Sequence, residues 1–224
     1  MLDQLSAWQL ILNGDAAPYA VVRLSLAVSL AAVALAAVIG MPLGALLALT
    51  RFPGRSVFVV FLNAMMGLPP VVVGLAVYLL LGALGMLFTP AAMVLVRTVL
   101  IVPIIAALTR QTVEDLWVEY RDELAAMDVG PVGRMATLLW DARFSLLTAL
   151  LAGFGRAAAE VGAVMIVGGN IDGFTRTMTT TIALETSKGN LPLAMGLGLI
   201  LVAIVVAINA AVWGTRAWSE RLAG

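Results

Sequence analysis

Arg156 and Glu160 stand four residues apart in a stretch that is otherwise almost wholly apolar, Phe144 to Val167, and Arg97 stands alone in another, Ala91 to Thr109. Residues four apart lie on one helix face, so the first two can pair. An ionisable side chain inside hydrocarbon costs about 2.5–3.5 kcal/mol on insertion scales and by default marks a functional position. At about 1.5 Å of rise per residue, Arg156 lies roughly 18 Å and Glu160 roughly 24 Å from the Phe144 end of a continuous helix, with Arg97 about 9 Å into its own. These depths let the three charges meet. Two arginines against one glutamate leave a net positive charge, which favours an anion. The same three residues could instead form a buried ion network that pins helices together.

Asn170, Thr175, Thr177, Thr179, Thr180 and Thr181 crowd the far end of the same stretch with an amide and hydroxyls. They could line a polar site and donate hydrogen bonds to a ligand there. For most of them the spacing favours caps and turns, with Gly168-Gly169 and Asp172-Gly173 as turn signals. The chain has no histidine and no cysteine, which removes histidine-ligated haem, imidazole proton relays, zinc–histidine hydrolysis and thiol chemistry. No metal site, cofactor or nucleic-acid partner is expected. An acid-dyad hydrolase inside the membrane lacks a second buried carboxylate to partner Glu160.

The elements that must position these residues are membrane helices. Of 224 residues 62% are hydrophobic and only 12% charged, with a mean hydropathy of +1.06. A soluble domain of this size could not cover such a surface with polar groups. About 20 apolar residues cross the hydrocarbon as a helix. Five spans are predicted: residues 24–49, 57–88, 91–109, 144–167 and 192–213. The 57–88 run is too long for one straight helix and is interrupted at Leu68-Pro69-Pro70, so it reads as one kinked span, with two half-helices as the alternative. Residues 1–18 form an extracytoplasmic or interfacial segment with a short amphipathic piece, Leu5 to Leu12. No cationic region with a following cleavage site suggests a removable signal peptide. Residues 215–224 form a tail.

Five spans place the termini on opposite sides, and arginine and lysine decide which side is which. One orientation puts Arg51, Arg55, Arg110, Arg121, Arg134, Arg143, Arg216 and Arg221 in the cytoplasm and leaves Arg23, Arg176 and Lys188 outside. The N-terminus is therefore expected outside and the C-terminus in the cytoplasm. The connection 110–143 is then cytoplasmic, and it holds eleven of the 26 charged side chains, from totals of 13 basic and 13 acidic. Within it Leu116, Trp117, Tyr120, Leu124 and Met127 fall on one stripe opposite Asp115, Glu119, Asp122 and Glu123. Gly130 is expected to end that helix in the left-handed conformation, and Pro131 to open a second one from Val132 to Trp140. Two short helices around a glycine turn make a knob. It is either a plain connector or a handle for something outside the bilayer.

This block resembles the coupling loop of ABC importer permeases, whose signature runs Glu-Ala-Ala, three residues, then Gly. Ala125, Ala126 and Gly130 fall in register. Glu123 is one position early, Leu124 holds the place of the glutamate, and Trp140-Asp141-Ala142-Arg143 replaces the usual Ile-x-Leu-Pro ending. Residues 153–194 are similar to the permease subunits of tungstate-type ABC importers, within the molybdate, sulfate and tungstate permease family. The matching pieces are Phe154-Gly155-Arg156, Glu160-Val161-Gly162-Ala163, Val167-Gly168-Gly169-Asn170-Ile171, Thr175-Arg176, Met178-Thr179-Thr180 and Ile182 to Gly189. Leu68-Pro69-Pro70 with Gly74 fits the second span of that family.

The resemblance implies an all-α type I ABC importer transmembrane domain over 19–214 in the cytoplasmic membrane of a prokaryote. It implies a homodimer with ABC ATPase subunits and an extracytoplasmic substrate-binding protein. It also implies ATPase coupling through Glu123, Ala125, Ala126 and Gly130. The cargo implied is an oxyanion, tungstate first, with molybdate, sulfate or another small solute as alternatives. The residues agree on one point by themselves. A nucleotide-binding P-loop needs a Gly-rich turn before Lys-Ser/Thr, and the single lysine, Lys188, lacks that context. The chain is therefore read as a transport subunit and not an ATPase. A secondary transporter or channel is the rival class. It would be expected to show internal repeats and a relay of buried carboxylates, and neither is present in the sequence.

Overall fold

The computed structural model describes the backbone of residues 16–223 and the side chains of residues 19–214. The expected interfacial piece Leu5 to Leu12 lies outside the described residues. Those residues form helices and no strand: α1 (Ala16–Leu49), α2 (Arg55–Met66), α3 (Pro70–Ala83), α4 (Pro90–Ala126), α5 (Pro131–Asp141), α6 (Arg143–Ala158), α7 (Gly162–Gly168), α8 (Met178–Ser187) and α9 (Leu191–Ala223). Tyr19–Leu49, Pro90–Ala126 and Leu191–Gly214 are each long and apolar enough to cross a bilayer, and the broken pairs α2 with α3 and α5 with α6 raise the number to as many as five. The protein is all-α and multi-pass.

Three elements differ from the sequence-based expectation. The 57–88 run takes the alternative form, two helices bent by 101° at the break, and not one kinked helix: α2 stops at Met66, Gly67-Leu68-Pro69 is not helical, and Pro70 opens α3 at its first turn, where a missing N–H costs nothing. The helix of the third span does not stop at Thr109. It continues unbroken as α4 to Ala126, because Arg110 to Glu114 contains no glycine or proline and its ends pair, Arg110 Nη1 with Glu114 Oε2 at 2.5 Å. The fourth span is not one helix across 144–167. It breaks at residues 159–161 between α6 and α7, so the depth assigned to Glu160 from a continuous rise does not hold.

The residues gather into two compact units. One comprises the chain up to Ala32, Pro69–Arg97 and the chain from Gly155; the other comprises Val33–Leu68 and Thr98–Phe154. Inside the second unit α1 carries Gly40 and Gly44, the small-xxx-small spacing that lets membrane helices approach closely. A Cβ on Gly44 would lie 2.4 Å from the Ala106 carbonyl oxygen and 2.9 Å from the Arg110 nitrogen, so α1 and α4 meet backbone to backbone. Gly153 of α6 meets Ile101 just as closely, at 2.8 Å from its Cβ position. Inside the first unit α3 lies on α7 through Gly74, whose Cβ would stand 2.7 Å from the Ala163 Cα. Met178 of α8 is buried with Ile200 of α9, and Val21, Leu193 and Ile204 pack around them.

Gly44→Leu is expected to destabilise the purified protein by about 1–3 kcal/mol or more, since the added atoms meet backbone and not a movable side chain. Gly198, with nothing within 4 Å of its Cβ position, supplies the control: Gly198→Ala should melt at or above the wild-type temperature in the same detergent. Equal melting temperatures for Gly44→Leu and wild type would refute the close approach of α1 and α4.

Candidate functional site

Glu160 follows the end of α6, and its side chain determines how the chain continues. Glu160 is 2% exposed. Oε2 accepts from Arg156 Nη1 at 2.5 Å, and Oε1 accepts from the Ala163 N–H at 2.9 Å, so the same group neutralises an arginine and caps the first turn of α7. The Glu160 carbonyl takes a third bond, from Thr179 Oγ1 at 2.9 Å, which ties α8 to the break. A buried carboxylate is tolerable when it is paired and its lone pairs are filled. Here Arg156 supplies the opposite charge, and each carboxylate oxygen accepts one hydrogen bond.

Arg97 of α4 is 1% exposed. It forms no direct ion pair with Glu160 among the described residues, although Glu160 is close enough to attract it electrostatically. Its Nη1 donates instead to Ser29 Oγ at 2.6 Å. Ser29 donates in turn to the Ser25 carbonyl at 2.7 Å, and Ser25 Oγ accepts from the Met178 N–H at 2.7 Å. A continuous polar chain thus runs from Arg97 through α1 to the start of α8. Ser25 and Ser29 were not singled out from the sequence. Two hydroxyls one helical turn apart in an apolar run were the available signal. Arg97 Nε is buried with no hydrogen-bond partner among the described residues.

The threonines turn out to be committed locally. Thr177 caps α8 in a reciprocal box with Thr180, the Thr177 N–H donating to Thr180 Oγ1 at 2.9 Å. Thr175 Oγ1 donates to the Gly168 carbonyl at 2.5 Å and accepts from the Ile171 N–H at 2.9 Å, closing the turn after α7. Thr181 donates to the Thr177 carbonyl at 2.7 Å, and Thr179 is spent on Glu160. Asn170 sits at φ 50°, in the left-handed region that asparagine tolerates, and its Oδ1 is buried without a partner among the described residues. Farther along, the Lys188 ammonium donates to Glu185 at 2.8 Å and holds that carboxyl below its usual range, aided by Asn190.

The second unit holds the knob. α4 ends as a Schellman turn: the Val129 N–H reaches the Leu124 carbonyl at 3.1 Å and the Asp128 N–H the Ala125 carbonyl at 3.1 Å. The left-handed residue is Asp128, at φ 49°, and not Gly130 as expected. Gly130 is extended, at φ −67° and ψ 166°, and serves as the N-cap of α5 with Pro131 in the first turn. Leu124, which holds the place of the motif glutamate, is buried with Ala45, Ala48, Val113 and Leu138, and Trp117, Tyr120 and Val129 pack around that core. Glu123, Ala125, Ala126 and Gly130 are exposed. Met127, expected on the buried stripe, is 74% exposed beside an equally exposed Val132.

The sequence reading also missed a charge clasp at the base of the knob. Glu114 binds Arg110 of its own helix and Arg55 at the start of α2, and Arg55 Nε donates to the Leu47 carbonyl of α1 at 2.7 Å. The i,i+4 pair was readable; the long-range arm to Arg55 was not.

A broken span with a neutralised carboxylate and a compact exposed knob suit a transport subunit. No protein-family model matches the chain. It is 43% identical over 203 residues to a Haloferax volcanii protein named "Probable anion ABC transporter permease protein", covering 85% of this chain and 87% of that one. It is 35% identical over 217 residues to the tungstate uptake system permease protein TupB of Peptoclostridium acidaminophilum, covering 94% and 95%. A sulfate transport system permease protein, CysW of Synechocystis, is 28% identical over 210 residues, covering 86% and 75%.

The chain belongs to the ABC transporter permease family. The ion cluster and the knob are therefore features of a multi-pass permease.

Glu160→Gln is expected to lower stability by about 3–5 kcal/mol, the range for leaving one member of a buried pair uncompensated. Arg156→Gln with Glu160→Gln together should recover part of the loss. A double variant no more stable than Glu160→Gln alone, in thermal melts of the purified permease, would show that the carboxylate acts only as a cap.

Proposed function

We propose that this permease is the membrane subunit of an ATP-driven importer of oxyanions and that its cargo is tungstate. The observation that carries the cargo is the charge balance of the buried cluster. Arg97 and Arg156 against Glu160 leave +1 in each chain, hence +2 where two copies meet about a two-fold axis. A diffuse field of that sign attracts a dianion without trapping it. The named relatives that carry tungstate or anions support the same reading. Molybdate or sulfate would meet the same field, and discrimination among them falls to a substrate-binding protein on the outer side.

ATP is hydrolysed by separate ABC ATPase subunits, because the chain has no P-loop. They dock on the knob, where Glu123, Ala125, Ala126 and Gly130 are exposed with Met127 and Val132. The knob faces the cytoplasm, with the N-terminus outside. Closure of the ATPases moves the knobs and changes which side of the paired permease is open. Thr179, Thr180 and Asn170 contribute to the pathway by holding α8 and the turn after α7 in place, and the outer loop 168–190 meets the binding protein.

Tungstate uptake into vesicles carrying permease, ATPase and binding protein tests the proposal. Wild type should import tungstate in an ATP-dependent manner. Arg156→Gln, which also strips Glu160 of its partner and is therefore compared at equal amounts of folded permease, should slow uptake by at least about tenfold, the loss of roughly 1.4 kcal/mol of favourable field, while retaining ATPase stimulation. Ala126→Arg should lose uptake and stimulation together. Unchanged uptake in Arg156→Gln would remove the electrostatic role, and unchanged stimulation in Ala126→Arg would remove the docking site.

A further inference from the structure

A pocket of about 240 Å³ opens in the first unit between the start of α1 and the loop after α7. None of the cluster residues lines it. Its floor is apolar, built from Val21, Leu24 and Ala27 of α1 and from Phe174 of the loop, while Arg23 and Arg176 stand on it. Arg176 Nη1 holds Asp172 at 3.1 Å, and Arg176 Nε is buried without an acceptor among the described residues. Arg23 is exposed and makes no ion pair among the described residues. Two guanidiniums against one carboxylate leave the pocket positive. The Asp172 side chain is itself 78% exposed, so water screens much of its charge.

We propose that this pocket seats the phosphodiester head of an anionic phospholipid. Guanidinium groups match phosphate oxygens in a fork geometry and are more weakly hydrated than ammonium, so they bind phosphate next to apolar surface with less loss. A small free oxyanion has no use for a floor of Val21, Leu24, Ala27 and Phe174. The glycerol and upper acyl carbons of a lipid do. Depth agrees with chemistry. Arg23 immediately precedes the apolar run from Leu24 to Leu49, and Tyr19, one turn earlier, is 75% exposed. Exposed aromatic rings beside arginine at the end of a span are the pattern of the headgroup layer on either side of a membrane. The bound lipid would join α1 to the loop that leads into α8. That is the loop by which Thr175 and Thr177 position Thr179 against Glu160. The inference is independent of which anion is carried.

The test uses the full-length permease in nanodiscs of phosphatidylcholine, with or without a minor fraction of phosphatidylglycerol, read by melting temperature. Phosphatidylglycerol should raise the wild-type value by about 2–4 °C or more. Arg23→Gln should lose most of that gain while melting as wild type does in phosphatidylcholine alone. Arg23→Lys should keep part of it. Because Arg176→Gln also breaks the pair with Asp172, the decision rests on Arg23, whose exposed side chain can change without unfolding the loop. An equal gain in wild type and Arg23→Gln overturns the assignment. Tungstate or inorganic phosphate reproducing the gain in phosphatidylcholine discs assigns the pocket to a free ion and overturns the lipid reading.

Discussion

An ionised group in an apolar chain needs an opposite charge or hydrogen bonds in place of water, and at Glu160 one residue supplies and receives both. One carboxylate neutralises Arg156, caps α7 and stands near Arg97, while its backbone receives Thr179. Breaking a membrane helix normally strands carbonyl and N–H groups in hydrocarbon. Here the break and the charge resolve each other, because the side chain that needs donors lies beside the donors that need an acceptor. The loop before α8 inherits its position from this arrangement, through hydroxyls that close turns and caps and through Ser25 of α1, which accepts from the Met178 N–H.

Glu114 performs the related task in the second unit. It gathers Arg110 and Arg55 where apolar helix gives way to the polar knob, and the knob adds a core of its own around Leu124 and Leu138. That core explains how a leucine can hold the place of the motif glutamate. Its neighbours Glu123, Ala125 and Ala126 stay at the surface, where a partner can reach them, while Leu124 holds the turn together. Arg97 and Leu124 belong to one helix, α4.

Much of this was legible in the residues. Apolar run lengths mark the membrane helices, the i,i+4 spacing of Arg156 and Glu160 gives their pair, and Gly130-Pro131 places the start of α5. Hydropathy could not show where helices stop inside an apolar run. The break at 159–161 depends on a side chain turning back to cap the next helix, which is a tertiary event without a compositional trace. The unbroken course of α4 through Thr109 was missed for the opposite reason: a change from apolar to polar residues alters what a helix faces, not whether it continues. Asp128 takes the left-handed position ahead of Gly130 because Leu124 and Val129 meet in the knob core and set the turn two residues earlier. The outer arm of the clasp, Arg55 to Glu114, spans 59 residues, a separation that local spacing does not encode.

The proposed mechanism requires the knob to lie on the side of the membrane where ATP is. The chain has no native cysteine, so Met127→Cys introduces a single thiol on the exposed tip. Labelling with a membrane-impermeant maleimide should modify that thiol in inverted membrane vesicles and leave it untouched in intact cells. Modification in intact cells, with none in inverted vesicles, would place the knob outside and contradict ATP-driven transport through it.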